Sequence, residues 1–196
     1  MKKIIISATL AATLVFGYGC AEKKDSNEAA KEINETKIDD KAVTGAQGAS
    51  EGDQEDESEY LVDLANTGLT EYELSKVAAD RATNPRVKAY AKEAMTEHAA
   101  GEKELRDLAQ QKNLTLPTTL SDASRSMLAE LTEEKAGKDF DSKYLDQMED
   151  INDKAISKAK GVRDNTANTA MKSFVSKIIT DDESHKAEAE ALEKIL

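Results

Sequence analysis

Residues 69–98 read LTEYELSKVAADRATNPRVKAYAKEAMTEH, two helical stripes separated by one point of punctuation. Asn84 can accept a hydrogen bond from the next turn, and Pro85 has φ preset for a first helical position, so a helix must end near Ala82 and another must begin at Pro85. Working back from that turn, Leu61, Leu64, Gly68, Glu71, Ser75, Ala78 and Ala82 recur at steps of three and four, which predicts a helix over residues 57–82. Working forward, Val87, Ala91, Ala94, His98, Gly101, Leu105 and Leu108 predict its antiparallel partner over 85–112.

The pattern repeats further along. Phe140, Tyr144, Met148, Ile151, Ala155, Ala159 and Val162 predict a helix over 139–164, and Met171, Phe174, Ile178, His185, Ala189, Leu192 and Leu196 one over 168–195. The only two prolines, Pro85 and Pro117, both fall where helical periodicity breaks. Residues 113–138 form a long connection with a short helix expected from Ser121. Four amphipathic stripes in one domain of this size make an all-α, four-helix bundle. A helix of 28 residues is about 42 Å long, and the connection between the second and third helices can run that length, so ferritin-like and simple up-down topologies are both open.

Ahead of the bundle the composition changes twice. Ile4–Phe16, IIISATLAATLVF, follows a Met-Lys-Lys start and is too short to span a bilayer, which needs about 20 helical residues, but it matches the centre of a secretory signal. Gly17–Cys20, GYGC, resembles the cleavage box of bacterial lipoproteins, in which the cysteine carries a lipid. Gly17 stands where such boxes usually have leucine, so plain cleavage is the alternative to lipidation of Cys20. Residues 1–20 are therefore expected to be a lipoprotein-type signal peptide. Residues 21–56 hold eleven acidic and five basic side chains with few large apolar groups, and are expected to be a disordered acidic tether. The domain proper is then 57–196. With 27 Lys and Arg against 39 Asp and Glu, a formal charge of −12, the chain repels nucleic acid.

No complete catalytic motif is present. What stands out is polarity in the wrong place: Glu71, His98 and His185 occupy seam positions, and these are the only two histidines of the chain. Glu71 lies 12 residues before the first turn and His98 14 after it, so at about 1.5 Å per residue the two should face each other. In the second hairpin Glu149 and His185 are equally placed about their turn, with Asn152 beside Glu149 and Asp182 at i−3 from His185. Carboxylates and imidazoles converging between helices are how di-iron bundles bind metal. That set is incomplete here, since Met95 and Asn152 occupy two of its positions. What remains is Glu71, His98 and His185, joined by Glu102, Glu149, Asn152 or Asp182, as ligands for a single Zn, Cu or Fe ion. Because that set is incomplete, the preferred account is a layer without any cofactor, in which Glu71 and Glu149 satisfy two core histidines and fix helix register. Tyr144 reads as core.

The chain also resembles the ferritin-like family of bacterial envelope proteins known as domain of unknown function 4142. The resemblance covers about residues 57–196 and rests on residues 69–98, on NLTLPTTL in the connection, on FDSKYLDQM opening the third helix and on SFVSKIITDDESH in the fourth. It implies a recurring site at the positions of Glu71, His98 and His185. It departs at Asn152, where the family usually has a third histidine, and at Thr180, where it has proline. It implies fold and envelope location, and no reaction.

Three function classes follow. The first is a non-catalytic envelope lipoprotein, periplasmic or surface-facing and held at the outer membrane through Cys20, that binds an envelope protein or cell-wall partner or serves under stress. The second is a metal-binding or metal-buffering bundle using Glu71, His98 and His185. The third, an oxidase or peroxidase of ferritin type, ranks last.

Overall fold

The computed structural model describes residues 24–43 and 50–196, so the signal segment and Cys20 lie outside the described residues. Six helices follow in order: α1 (Ser26–Val43), α2 (Glu51–Arg81), α3 (Pro85–Lys112), α4 (Asp122–Glu133), α5 (Lys138–Asn165) and α6 (Thr169–Glu193). No strand occurs among the described residues, and none of their helices is long and apolar enough to cross a membrane.

Helices α2, α3, α5 and α6 are the bundle. Three of the four starts carry a side-chain cap, α5 opening instead on Gly137: Asn84 accepts from the amide of Arg86 at 2.9 Å, Asn168 from those of Ala170 and Met171 at 3.0 and 3.2 Å, and Ser50 from that of Asp53 at 3.2 Å. Ser121 opens α4 by accepting from the amide of Ser124 at 3.1 Å. α3 ends on Asn113, whose left-handed φ of 61° terminates the helix.

Two polar clamps fix how the hairpins join. At one end Asp141, buried in the first turn of α5, accepts from the Thr83 amide at 2.9 Å, the Thr83 hydroxyl at 2.8 Å and the Asn84 amide at 2.7 Å. At the other, Glu57 of α2 accepts from the Thr166 hydroxyl at 2.9 Å and pairs with Lys112 at 2.8 Å. α5 therefore starts where α2 ends and finishes where α2 begins. Hence α3 and α5 run parallel, and residues 113–137 must travel the length of the bundle between them. This is the ferritin-like connection, and the simple up-down topology falls away. Around the bundle the order is α2, α3, α6, α5, while α4 packs on α2 and α5.

The core is in two parts. Leu74, Ala78, Val87, Tyr90, Phe140, Tyr144, Met148 and Leu192 fill the end near Thr83. Tyr60, Leu61, Ala65, Leu105, Ile156, Met171, Val175 and Ile179 fill the other. Glu71, His98, Asn152, Asp182 and His185 lie on the four helices between these two sets. In α2, α3 and α5 most apolar stripe positions are buried, but Leu64, Gly68, Leu108, Ala155 and Val162 are only partly covered and Gly101 is exposed. In α6 the buried line is Met171, Val175, Ile179, Asp182 and His185, so Phe174 and Ile178 are only partly covered, where core positions were expected.

The tether needs correction over most of its length. Residues 26–43 form α1, packed antiparallel on α2, and α2 itself begins at Glu51 with Ser50 as its cap, not at residue 57. Among the described side chains of α1, Ala30 and Ile38 are the buried apolar anchors, and Ile33 is exposed. Its docking is largely polar. The buried Asn34 amide makes a two-way clip with the backbone of Thr115, donating at 2.9 Å and accepting at 2.7 Å. Lys37 donates to the Asn113 carbonyl at 3.1 Å and Lys31 pairs with Asp63 at 2.9 Å. A count of apolar residues does not register such a clip.

The Asp141 clamp is the most exposed to test, because one buried carboxylate carries the turn that begins α3. Asp141→Ala is expected to cost roughly 2–4 kcal/mol, several charge-assisted hydrogen bonds at once, with α-helical content unchanged at low denaturant. Urea unfolding followed by circular dichroism measures it, and a cost near zero would mean that the clamp is idle.

Candidate metal centre

α2 contributes Glu71 to the middle of the bundle because the three-and-four spacing that buries Leu61 and Ala78 carries position 71 to the same side; the side chain is 2% exposed. Across from it, on α3, His98 Nδ1 lies 3.4 Å from Glu71 Oε2. His185 of α6 comes in from the other flank, its ring perched edge-on to His98 with centroids 5.1 Å apart. Asp182, one turn before His185 on α6, is buried beside them. Three helices thus bring an acid, two imidazoles and a second acid together, and the first three are those that the seams single out.

They line a cavity of about 400 Å³ between α2, α3 and α6. Gly68 and Gly101 form part of its wall, and a Cβ at either would meet nothing within 4 Å. Glu102 also faces it, paired with Arg106 on the solvent side. The mouth opens between α3 and α6 and is acidic, with Glu93, Glu97 and Glu104 on one lip and Asp181 and Glu188 on the other. Lys177 is the one cation in the lining, and it pairs with Glu104 at 2.8 Å.

Desolvation governs the protonation of this layer. Burial, and then the charge of Asp182, hold the Glu71 carboxyl well above the ordinary range. Burial pushes Asp182 up to about 7, a shift that His185 opposes and Asp181 reinforces. Burial, and then His185, push the His98 imidazole down to about 3, so it is neutral with a lone pair available at pH 7. Four buried atoms here have no hydrogen-bond partner: Glu71 Oε1, His98 Nε2, Asp182 Oδ2 and His185 Nδ1. Neutral imidazole nitrogen and carboxylate oxygen are the donor types that transition-metal ions take. The donor set fits such an ion. It is not yet convergent, since among the described residues no three His, Cys, Asp or Glu side chains already form a ligand group.

Two expected members do not join. Glu149 does not meet His185. It stands about 100° round α5 from the buried Met148, half-buried, where Glu190, Asp146 and Glu193 raise its carboxyl and Lys186 lowers it, burial being the larger cause. Asn152 is fully buried in the same layer but outside the cavity, its Nδ2 donating to the Met148 carbonyl of its own helix at 2.7 Å. The partner that His185 does have is Glu97, whose Oε2 meets His185 Nε2 from the rim of α3. Seam reading passes over Glu97 because it sits one residue off the stripe and is half-exposed. Its signal was the run of acids Glu93, Glu97 and Glu104 flanking a histidine seam. Tyr90 backs the pair, its ring edge-on to His185 at 6.5 Å and its hydroxyl donating to the His185 carbonyl at 3.3 Å. Tyr144 lies in the core behind it, bonded to Ser75 at 2.9 Å.

The opposed shifts give chelator-treated protein a pH signature. Asp182, with its folded pKa raised, contributes stability that is full below about pH 4 and is lost as pH rises through 7; His98, with its folded pKa lowered, contributes stability present above about 6.5 and lost as pH falls toward 3. Between these limits the two largely offset each other. Asp182→Asn removes one side of the balance, so its stability relative to the parent chain should rise by on the order of 2 kcal/mol from pH 4 to pH 8. Urea midpoints at the two pH values read this directly, and a pH-independent difference would show that the Asp182 carboxyl is not desolvated.

Similar solved structures share the bundle. They include a DUF305 fragment from Deinococcus radiodurans, with a TM-score of 0.65 and 11% identity over 72% of this chain and 97% of that one. CopM in its Cu(II)-bound form aligns with a TM-score of 0.58 and 16% identity over 70% and 95% of the two chains, and its Cu(I)-bound form with 0.59 and 17% over 70% and 94%. At such identities the likeness is one of fold. No curated protein matches the sequence. The family model described as Domain of unknown function (DUF4142) matches residues 42–192, the whole bundle with both histidines and Glu71, and the chain belongs to that family.

Proposed function

We propose that this protein is a metal-binding or metal-buffering module of the bacterial cell envelope, anchored by lipid on Cys20, that holds a single transition-metal ion between His98 and His185. The observation that carries the reading is a group of two imidazoles and two carboxyls, each with a buried nitrogen or oxygen atom that no protein group partners, on residues that line one cavity with an acidic mouth. An acidic rim over a low-dielectric pocket draws cations inward. No sulfur side chain lines the cavity, so the donors are imidazole and carboxylate, which favour Cu(II) or Zn(II) over Cu(I). The copper-bound bundles of like fold show that such a scaffold can carry copper. With two histidines and Asn152 where a third would stand, the ligand set suits one ion, and the role is binding and not turnover.

The metal is tested on the purified chain. Loaded with Cu(II) and desalted, it should retain about one equivalent by elemental analysis, and His98→Ala or His185→Ala should each reduce this by tenfold or more. A parent chain that retains none, or variants that retain all, would overturn the reading.

Anchoring rests on the apolar run Ile4–Phe16 and on Cys20 as the only cysteine. Mass spectrometry of detergent-extracted protein should find a chain beginning at a diacylated Cys20. An unmodified chain, or one beginning elsewhere, would remove the anchor.

A second reading, contact with an envelope protein or cell-wall partner, has one feature in its favour. Below the cavity the α3–α6 seam continues as a groove lined by Leu108, Met171 and Phe174.

A further inference from the structure

We infer that the two imidazoles are divided into metal-facing and carboxylate-facing nitrogens, with His98 Nε2 and His185 Nδ1 as the ligating atoms and Glu71 and Glu97 as positioning residues that orient the rings. This assignment rests on the metal-binding reading above and changes the part that Glu71 plays in it.

Each ring turns one nitrogen toward a carboxyl group, in a close hydrogen bond at His185 and in a looser contact at His98. His98 presents Nδ1 to Glu71 Oε2 at 3.4 Å, and its Nε2 is buried without a partner. His185 presents Nε2 to Glu97 Oε2, and its Nδ1 is buried without a partner. A histidine that gives one ring nitrogen to a carboxylate keeps the other as a lone pair with its direction set, which is the arrangement found behind most metal-bound histidines. The two rings use opposite nitrogens because they enter from opposite sides. Glu71 reaches His98 from inside the bundle, across α2 and α3, while Glu97 reaches His185 from the rim. The rings are in edge-on contact at 5.1 Å, and both residues line the same cavity.

Oxygen donors then come from α6 and α3. Asp182 Oδ2 is buried and unpartnered on the cavity wall one turn from His185, and Glu102 Oε2 is likewise unpartnered there. Glu97 has a further consequence for access. It is half-exposed at the mouth and bound to the ring that the ion must reach, so it is the group that keeps His185 from turning outward.

With two histidines in the whole chain, only four ring nitrogens exist to be observed. The experiment is long-range ¹H–¹⁵N NMR of the full domain labelled with ¹⁵N-histidine, assigned with His98→Gln, first metal-free and then with Zn(II) as a diamagnetic probe. The metal-free spectrum should show His185 with its proton on Nε2. Zn(II) should move His98 Nε2 and His185 Nδ1 to metal-bound shifts. Glu97→Ala should bind Zn(II) roughly tenfold more weakly, the effect typical of an orienting carboxylate, and its metal-free His185 should become a mixture of tautomers, a change that loss of stability alone does not produce. Zinc on His185 Nε2 or His98 Nδ1, or unchanged affinity in Glu97→Ala, would overturn the assignment and leave metal binding standing. Absence of any zinc-induced shift would overturn both.

Discussion

A desolvated contact between one acid and one imidazole, Glu71 against His98, is the constraint around which the bundle is arranged. Neither group can sit in an apolar interior alone at tolerable cost, so wherever α2 places the carboxyl, α3 must place the ring. Sliding one helix by a turn, about 5.4 Å, would separate them and bury both without a partner. The apolar sets above and below can tolerate such a shift more easily, since Ala, Leu and Val at one height resemble those a turn away. The polar layer is thus what selects a single register. The end clamps at Asp141 and Glu57 then agree with it, each anchoring a helix end at the height that the layer requires.

The same layer explains why one seam is open. On α3 the residues facing α6 at mid-height are Ala94, Gly101 and a row of acids, and on α6 they include Asp181, Asp182 and Glu188. Small side chains fill little volume, and like charges on the two lips resist closure. The ion pair of Lys177 with Glu104 crosses the seam below the histidines. The opposite side of the molecule is covered at mid-height by contrast. α1 and α4 pack on α2 and its neighbours there, with Asn66 accepting from the Ser121 amide at 3.0 Å and Thr70 bonded to Ser124 at 2.8 Å to pin α4 in place. The extra helices therefore cover the flank behind α2 at the height of the layer, and the flank with the imidazoles has no such cover.

How far this could be read from the chain depended on what kind of signal each feature left. The Asn84–Pro85 turn is local chemistry, and the helices on either side began and ended within a residue of it. Matching heights for Glu71 and His98 needed only rise per residue, and they are in contact. Side-to-side placement was harder, because spacing along a helix does not say which neighbour a residue leans toward. Glu149 and His185 have equal heights, yet the rotation of α6 that buries Val175 and Ile179 turns His185 to α3 and Glu97. α1 was hidden for a different reason. Its docking depends on Asn34 finding the backbone of Thr115, 81 residues away, and a polar clip of that kind leaves no mark in hydrophobic periodicity.

Asn152 decides what sort of centre this fold can make here. Its amide nitrogen is spent on the Met148 carbonyl, and its remaining oxygen is neutral, so α5 brings neither charge nor imidazole to the layer. A di-iron bundle draws ligands from all four helices and places its ions on the central axis, away from solvent. With α5 silent, the donors here come from α2, α3 and α6, and their common ground is displaced from the axis to the α3–α6 seam. An ion held there has protein on three sides and an acidic opening on the fourth. Such a position permits exchange with the surrounding solution through the mouth, at the expense of the water exclusion that oxidative chemistry on a bound metal requires. On the proposed metal-binding reading the incomplete ligand set is coherent with the open seam, since both would serve reversible capture of a cation.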